Sequence, residues 1–253
     1  PIIEAALACD SGAGVVFIYG NYAGDCLNFD RAQDACREMG HKVMSVVMND
    51  DVASAPSSDV LRRRGIGGML WVYQIAGAKA ESLASLEEVV EIAHRANENT
   101  RTIGVGLSSC IVPANGKATF ALADDEIEVG LGIHGEPGMK RQKVAPVDQI
   151  IDEMFAQLIA DLDYRDQRVA LSINGLGGTP AEELFVVYRK VKALCDAHGI
   201  TIAHKAVGEF VTALEMAGAS ISLTRLDPEM ESLLNAPVNT CMFKKLQRES
   251  SST

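Results

Sequence analysis

Two short stretches carry side chains able to do chemistry. In GLGIHGEPG (130–138), four glycines and Pro137 surround His134 and Glu136. Such a segment can be neither a stable helix nor the interior of a strand, so it presents the imidazole on a loop. His134 is then either a solvent-facing loop residue or a catalyst. The second stretch, GNYAGDCLNF (20–29), follows an apolar run that reads as a strand, at the carboxyl end where α/β sheets place their ligands. Gly20 and Gly24 let the backbone come close to a ligand, and Asn21, Asp25 and Asn28 offer polar contacts. Asp25 is open to two readings, a general base or the N-cap of the following helix.

Other constellations give less. There is no G-x-x-x-x-G-K-[ST] and no G-x-G-x-x-G between strand and helix, so no phosphate cradle for a nucleotide is expected. NGLGGTPAEEL (174–184) is either a helix N-terminus able to hold an anion or a tight strand-to-helix turn. The five histidines make no H-x-H or H-E-x-x-H pattern, and no metal site is expected. Six cysteines without C-x-x-C pairs read as reduced thiols of a cytoplasmic protein.

These residues must be positioned by an alternation of strands and helices. GVVFIY (14–19) and KVMSVVM (42–48) read as strands around the helical NFDRAQDACREMG, a βαβ unit with parallel pairing. NDDVASAPSSDVLRRRG is polar and turn-rich, which predicts a surface loop. SLEEVVEIAHRANEN opens with a capping box, Ser85 with Glu88. TIGVGL (102–107), RVALSIN and ASISLTRL (219–226) read as strands, and 108–143 as the least regular region. Val147, Ile150, Ile151, Met154, Phe155, Leu158 and Ile159 recur at helical spacing. In TPAEELFVVYRKVKALCDAHG, Thr179 reads as N-cap, Glu182 as the closing member of a capping box and Gly199 as the stop. The tail KKLQRESSST reads as frayed. The fold class is α/β, two units with largely parallel or mixed sheets flanked by helices, residues 1–100 and 101–253. The start, PIIEAALACD, reads as the inside of a helix and predicts that an N-terminal portion has been lost.

A net charge of −11 repels polyphosphate, which argues against nucleic acid and anionic membranes as partners. Hydrophobic residues make up 47%, enough for a sizeable core, yet no apolar run approaches the ~20 residues of a membrane span.

Taken together, GNYAGDCLNF, RRGIGG, IAGAKAE, the long run from Ala96 to Gly138, NGLGGTP, EMAGASISLTRLD and NAPVNT resemble the dihydroxyacetone kinase family in its substrate-binding DhaK subunit or domain. The resemblance spans nearly the whole sequence. It implies that His134 attacks the carbonyl of a short-chain ketose and holds it as a hemiaminal, a chemistry that suits a neutral imidazole and supplies orientation without a large pocket. It implies that Asp25 contacts the hydroxyl to be phosphorylated, and that Gly20 and Asn21 belong to the substrate site. No cofactor or metal is then expected on this chain. ATP or ADP with magnesium would sit on a DhaL-type nucleotide-binding partner, with direct ATP use or a phosphotransferase relay both open. The family also implies a cytoplasmic homodimer serving glycerol metabolism. A ketose-sensing co-regulator on the same fold is the alternative.

The family's G-G-G-S-G-H-E-P segment has no counterpart in these 253 residues. Its lysine before N-Y-[ST]-G-D is replaced by Gly20, which predicts a roomier site that accepts four-carbon ketoses.

Overall fold

The computed structural model describes residues 1–241 and 243–245. The first elements are helix α1 (Ile2–Cys9), strand β1 (Val15–Gly20), helix α2 (Ala23–Glu38) and strand β2 (Val43–Met48). β1 and β2 pair in parallel, Val15 opposite Val43 through Gly20 opposite Met48, so the expected βαβ unit is present. Alternation along β1 sends Phe17 and Tyr19 toward α1 and α2, where they pack with Ala32, Cys36 and Val43. Val16 and Ile18 face the other way, toward helices α3 (Met69–Glu81) and α4 (Leu86–Glu98). The capping box of α4 forms as expected: the Ser85 hydroxyl accepts from the Glu88 N–H, and the Glu88 carboxylate accepts from the Ser85 N–H.

Next come β3 (Thr100–Gly106), the short pair β4 (Ile111–Val112) and β5 (Lys117–Ala118), then β6 (Glu126–Val129) and the edge strand β7 (Lys140–Lys143). Helix α5 (Val147–Asp161), β8 (Arg168–Gly175), α6 (Ala181–Ala197), β9 (Thr201–Gly208), β10 (Gly218–Arg225), α7 (Pro228–Asn235), β11 (Val238–Asn239) and β12 (Lys244–Lys245) complete the order. The large sheet runs β7-β6-β3-β10-β8-β9. Only β8–β9 is parallel in it, which makes the sheet mixed. β9, α3 and α7 were not read from the sequence. Of the tail, Lys244 and Lys245 pair with β11, and the rest lies outside the described residues.

One face of this sheet packs on α5 and α6. The periodic set of α5 is confirmed: Ile150, Ile151, Met154, Phe155 and Leu158 are buried against Ile103, Val105, Ile173 and Ile221, with Val147 and Ile159 at the margin. The other face is lined by buried hydroxyls. Thr102 donates to Ser222 at 2.7 Å, Thr100 and Thr224 are 2.8 Å apart, and Asn174 donates to Ser220. Against these sits the segment Gly65-Ile66-Gly67-Gly68, where a Cβ on Gly67 would lie 2.7 Å from the Ser222 oxygen.

The polar stretch before it is exposed over much of 56–62, as expected of a surface loop, but its two ends are not. Asp50, Asp51 and Arg63 are fully buried. Each survives burial because it is bonded. Asp50 accepts from the Ile66 and Gly68 N–H groups, Asp51 pairs with Arg64, and Arg63 pairs with Asp161. Thr102 donates its N–H to the Asp50 carbonyl, and its carbonyl accepts from Val52, so the chain after β2 runs alongside β3. Among the described residues no helix is long and apolar enough to cross a membrane.

Candidate active site

The site lies where the junction between β1 and α2 meets the loop joining β6 to β7. At the junction Asn21 passes its N–H to the Met48 carbonyl, and its side-chain amide donates to the carbonyls of Leu61 (2.9 Å) and Arg63 (2.8 Å). Both amide hydrogens are thereby engaged within the protein. Asn21 ties the 57–64 segment to the junction. Gly20 is buried, and a Cβ there would stand 2.8 Å from the Gly65 carbonyl oxygen. Gly65 returns the constraint, its own Cβ position lying 2.8 Å from the Gly20 Cα. The missing side chain at 20 therefore lets two backbones cross. It does not open the room for a larger ketose expected from the sequence.

Helix α2 starts at Ala23 with the extended Tyr22 at its N-cap and no side-chain cap bond. Asp25 falls inside the first turn, so the N-cap reading is set aside. It is partly exposed, and its charge acts on His134. A carboxylate in a first helical turn also meets the favourable end of the helix dipole. Asn28 lies farther along α2 and is exposed.

The loop 130–138 closes the β6–β7 hairpin as a folded turn. Gly132 donates to the Glu136 carbonyl at 3.2 Å, Gly135 to the Gly132 carbonyl at 3.1 Å, and Gly138 to the Glu128 carboxylate at 2.7 Å. Gly132 is small of necessity, since a Cβ would lie 2.2 Å from Glu136 Oε2 and 2.5 Å from an Arg64 nitrogen. Arg64 braces the loop from below. Its Nε donates to Asp51 at 2.8 Å and its terminal nitrogen to the Gly130 carbonyl at 2.9 Å. Burial raises the Asp51 carboxyl to about 6, against the pull of Arg64.

On this support His134 keeps 57% of its side chain exposed. Its ring stands edge-on to Tyr22, centroids 4.5 Å apart, while the Tyr22 hydroxyl is buried without a protein partner. The His134 N–H donates to Glu136 Oε2 at 3.0 Å, and Nδ1 lies 3.3 Å from Oε1 of the same carboxylate. That bond raises the imidazole above the usual histidine value, opposed by partial burial and assisted by the charges of Glu136 and Asp25. Burial pushes the Glu136 carboxyl up, but the bonds from His134 and the local backbone leave it below its usual range. Among the described residues Nε2 has no protein hydrogen-bond partner. An acceptor at Nδ1 favours the neutral tautomer with hydrogen there and a lone pair on Nε2. Such a ring can attack an electrophile or take a proton.

Of the residues expected from sequence, the charge of Asp25 acts on His134, while Gly20 and Asn21 pack against the 61–65 segment. Tyr22 and Arg64 were missed; each stands inside a quoted motif, but nothing in local spacing marks it as a neighbour of His134. Nor is NGLGGTPAEEL a second site. Its turn closes on 213–217, Gly178 donating to the Met216 carbonyl. Thr179 does not cap α6, whose start carries no side-chain cap bond. Instead its hydroxyl donates to the Gly218 carbonyl at 2.6 Å and accepts the Gly218 N–H at 2.8 Å, and the cap position falls one residue later, on Pro180. Among the described residues no three His, Cys, Asp or Glu side chains gather as a metal site, and all six cysteines are free.

A family model for the Dak1 domain matches residues 1–242. The dihydroxyacetone-binding subunit DhaK of PTS-dependent dihydroxyacetone kinase 2 from Listeria innocua is 40% identical over 245 residues, spanning 96% of this chain and 73% of that subunit. A D-erythrulose kinase from Mycolicibacterium smegmatis is 40% identical over 243 residues, spanning 96% of this chain and 42% of that enzyme. Among solved structures, the dihydroxyacetone kinase operon co-activator DhaQ superposes with a TM-score of 0.86 at 30% identity, covering 93% of this chain and 74% of that protein.

Proposed function

The chain belongs to the dihydroxyacetone kinase family as a DhaK-type Dak1 domain, and on that premise we propose that it holds a short-chain ketose on His134 for phosphorylation by a nucleotide-bearing partner. The observation that carries this reading is the Nε2, without a partner among the described residues, of a ring whose Nδ1 is held by Glu136 and on which the charge of Asp25 acts. The lone pair adds to the ketose carbonyl, and the resulting hemiaminal fixes the sugar by one covalent bond. Asp25 then faces the hydroxyl that accepts the phosphoryl group and assists loss of its proton. Phosphoryl transfer is mostly positioning and electrostatics, so an oriented alcohol is the main contribution required of this chain. ATP or ADP with magnesium belongs to a DhaL-type subunit in this scheme, and the working unit is a cytoplasmic homodimer of two α/β units per chain, divided near residue 100.

Dihydroxyacetone is the first substrate to test, with erythrulose beside it because an erythrulose kinase is among the relatives. Dihydroxyacetone labelled with carbon-13 at the carbonyl should move from the ketone to the tetrahedral region of the spectrum on binding, and His134→Ala should abolish the shift. A tight complex with an unchanged ketone signal would refute the covalent reading. The likeness to the co-activator DhaQ favours one rival, a ketose sensor without catalysis. With partner and nucleotide present, Asp25→Asn should slow phosphorylation by about 10²–10⁴-fold while the adduct persists. Adduct formation without phosphorylation in the unsubstituted protein supports the sensor.

A further inference from the structure

We infer that Glu136 is the positioning residue of His134: it selects the tautomer that attacks and takes up the charge that the attack creates. This inference rests on the covalent reading above and assigns the second group that reading needs. When Nε2 attacks, its lone pair becomes the bond to the carbonyl carbon, and the π pair of the carbonyl moves to oxygen. The ring then carries carbon on Nε2 and hydrogen on Nδ1, so it is an imidazolium. The new alkoxide needs a proton, and the imidazolium has one to lose. Glu136 Oε1 sits 3.3 Å from that Nδ1 hydrogen and is placed to accept it; passage on to the alkoxide through solvent leaves a neutral adduct with every proton accounted for. A carboxylate against an imidazole that becomes cationic is the same physical device as the acid that orients a catalytic histidine in a hydrolase triad.

The geometry holds Glu136 to this task. Its other oxygen accepts the His134 N–H at 3.0 Å, so the two residues lock one another across two positions of chain. The Cβ space of Gly132 is the space its carboxylate fills. Tyr22 from the junction stands against the ring, the charge of Asp25 from α2 acts on it, and Arg64 from the segment before α3 approaches the Gly132 position beside the Glu136 carboxylate. Among the described residues Asp25 is the only other acid whose charge acts on His134, and no bond to Nδ1 comes from it.

The test uses Glu136→Gln, which keeps an oxygen for the His134 N–H but loses the charge. Melting temperature should change little, because the substitution is nearly isosteric and the Glu136 side chain is 32% exposed. Nuclear magnetic resonance titration of His134 should give a lower pKa in E136Q. Two reactions are then followed above that pKa: acylation of His134 by diethyl pyrocarbonate, read by peptide mass, and adduct formation with labelled dihydroxyacetone. Both should fall by about tenfold, the usual scale for losing one charge-assisted hydrogen bond. The acid limb of adduct formation should move to lower pH, since a ring with a lower pKa is neutral sooner. Glu136→Asp, which keeps the charge, should recover part of the loss. Unchanged acylation and an unchanged His134 pKa in E136Q would overturn the inference. If both shift but the unsubstituted protein makes no ketose adduct, the covalent reading fails while the positioning of His134 by Glu136 stands.

Discussion

Arg62, Arg63 and Arg64 are adjacent in sequence, yet replacing the first two with methionine should give opposite results. The Arg62 side chain is 80% exposed and reaches only Asp59, at 3.5 Å. Arg63 is 1% exposed: its Nε donates to the Ala55 carbonyl at 2.8 Å, and its two terminal nitrogens meet Asp161 at 2.9 and 2.5 Å. Breaking a buried pair costs ~3–5 kcal/mol, because the remaining charge loses its partner. Arg101 also bonds Asp161 and stays behind in R63M, which reduces the loss, whereas the Ala55 carbonyl is orphaned, which adds to it. About 3 kcal/mol follows for R63M, and no measurable change for R62M. Urea titration followed by the fluorescence of Trp71, the single tryptophan and 2% exposed, reads both. Burial works against the charge of Asp161, but Arg63 and Arg101 hold its carboxyl below the usual range. A depressed carboxylate contributes stability above its unfolded value of about 4 and loses it as pH falls through the folded one. The R63M deficit should therefore shrink in acid. A loss under 1 kcal/mol near neutral pH would refute the claim that this pair anchors the 55–64 segment.

Substitutions at three further positions test two supports of the site and the turn before α6. Gly65→Ala brings a Cβ to 2.5 Å from the Met48 carbonyl and 2.8 Å from the Gly20 Cα, so it should cost about 1–3 kcal/mol by overpacking; a neutral urea midpoint would show that the crossing has slack. Thr179→Ala should cost about 1–3 kcal/mol by leaving both backbone groups of Gly218 unbonded, and Thr179→Ser should recover most of it; loss of α6 helicity without disturbance at β10 would restore the cap reading. Asn21→Ala should release the 57–62 turn, seen as faster amide exchange there and earlier proteolytic cleavage, while the ketose adduct on His134 still forms. Loss of the adduct with normal exchange would instead return Asn21 to the substrate.

Much of this protein is legible locally. The βαβ rhythm, the Ser85–Glu88 capping box and the buried stripe of α5 follow from periods and caps that act within four residues, and those signals carried through folding. Spacing, glycine content and family phrases also single out His134 and Asp25. Missing from any local pattern are partners far along the chain. Asn21 reads as a ligand-facing amide until Leu61 and Arg63 take its hydrogens, some forty positions later. Asp25 reads as a cap until α2 begins three residues earlier than that reading requires, with Tyr22 at the cap position. Gly20 reads as vacated space until the backbone of Gly65 fills it. The run of arginines looks solvated because charge favours water, and only Asp161, 98 residues away, makes burial of Arg63 affordable. The sequence by itself determined the α/β class, the elements and the residues able to do chemistry, since these depend on neighbours in the chain. Which carbonyls take the Asn21 amide hydrogens, and which arginine of the run is buried, was decided by tertiary structure, because hydrogen bonds and burial are settled by what folding brings into contact.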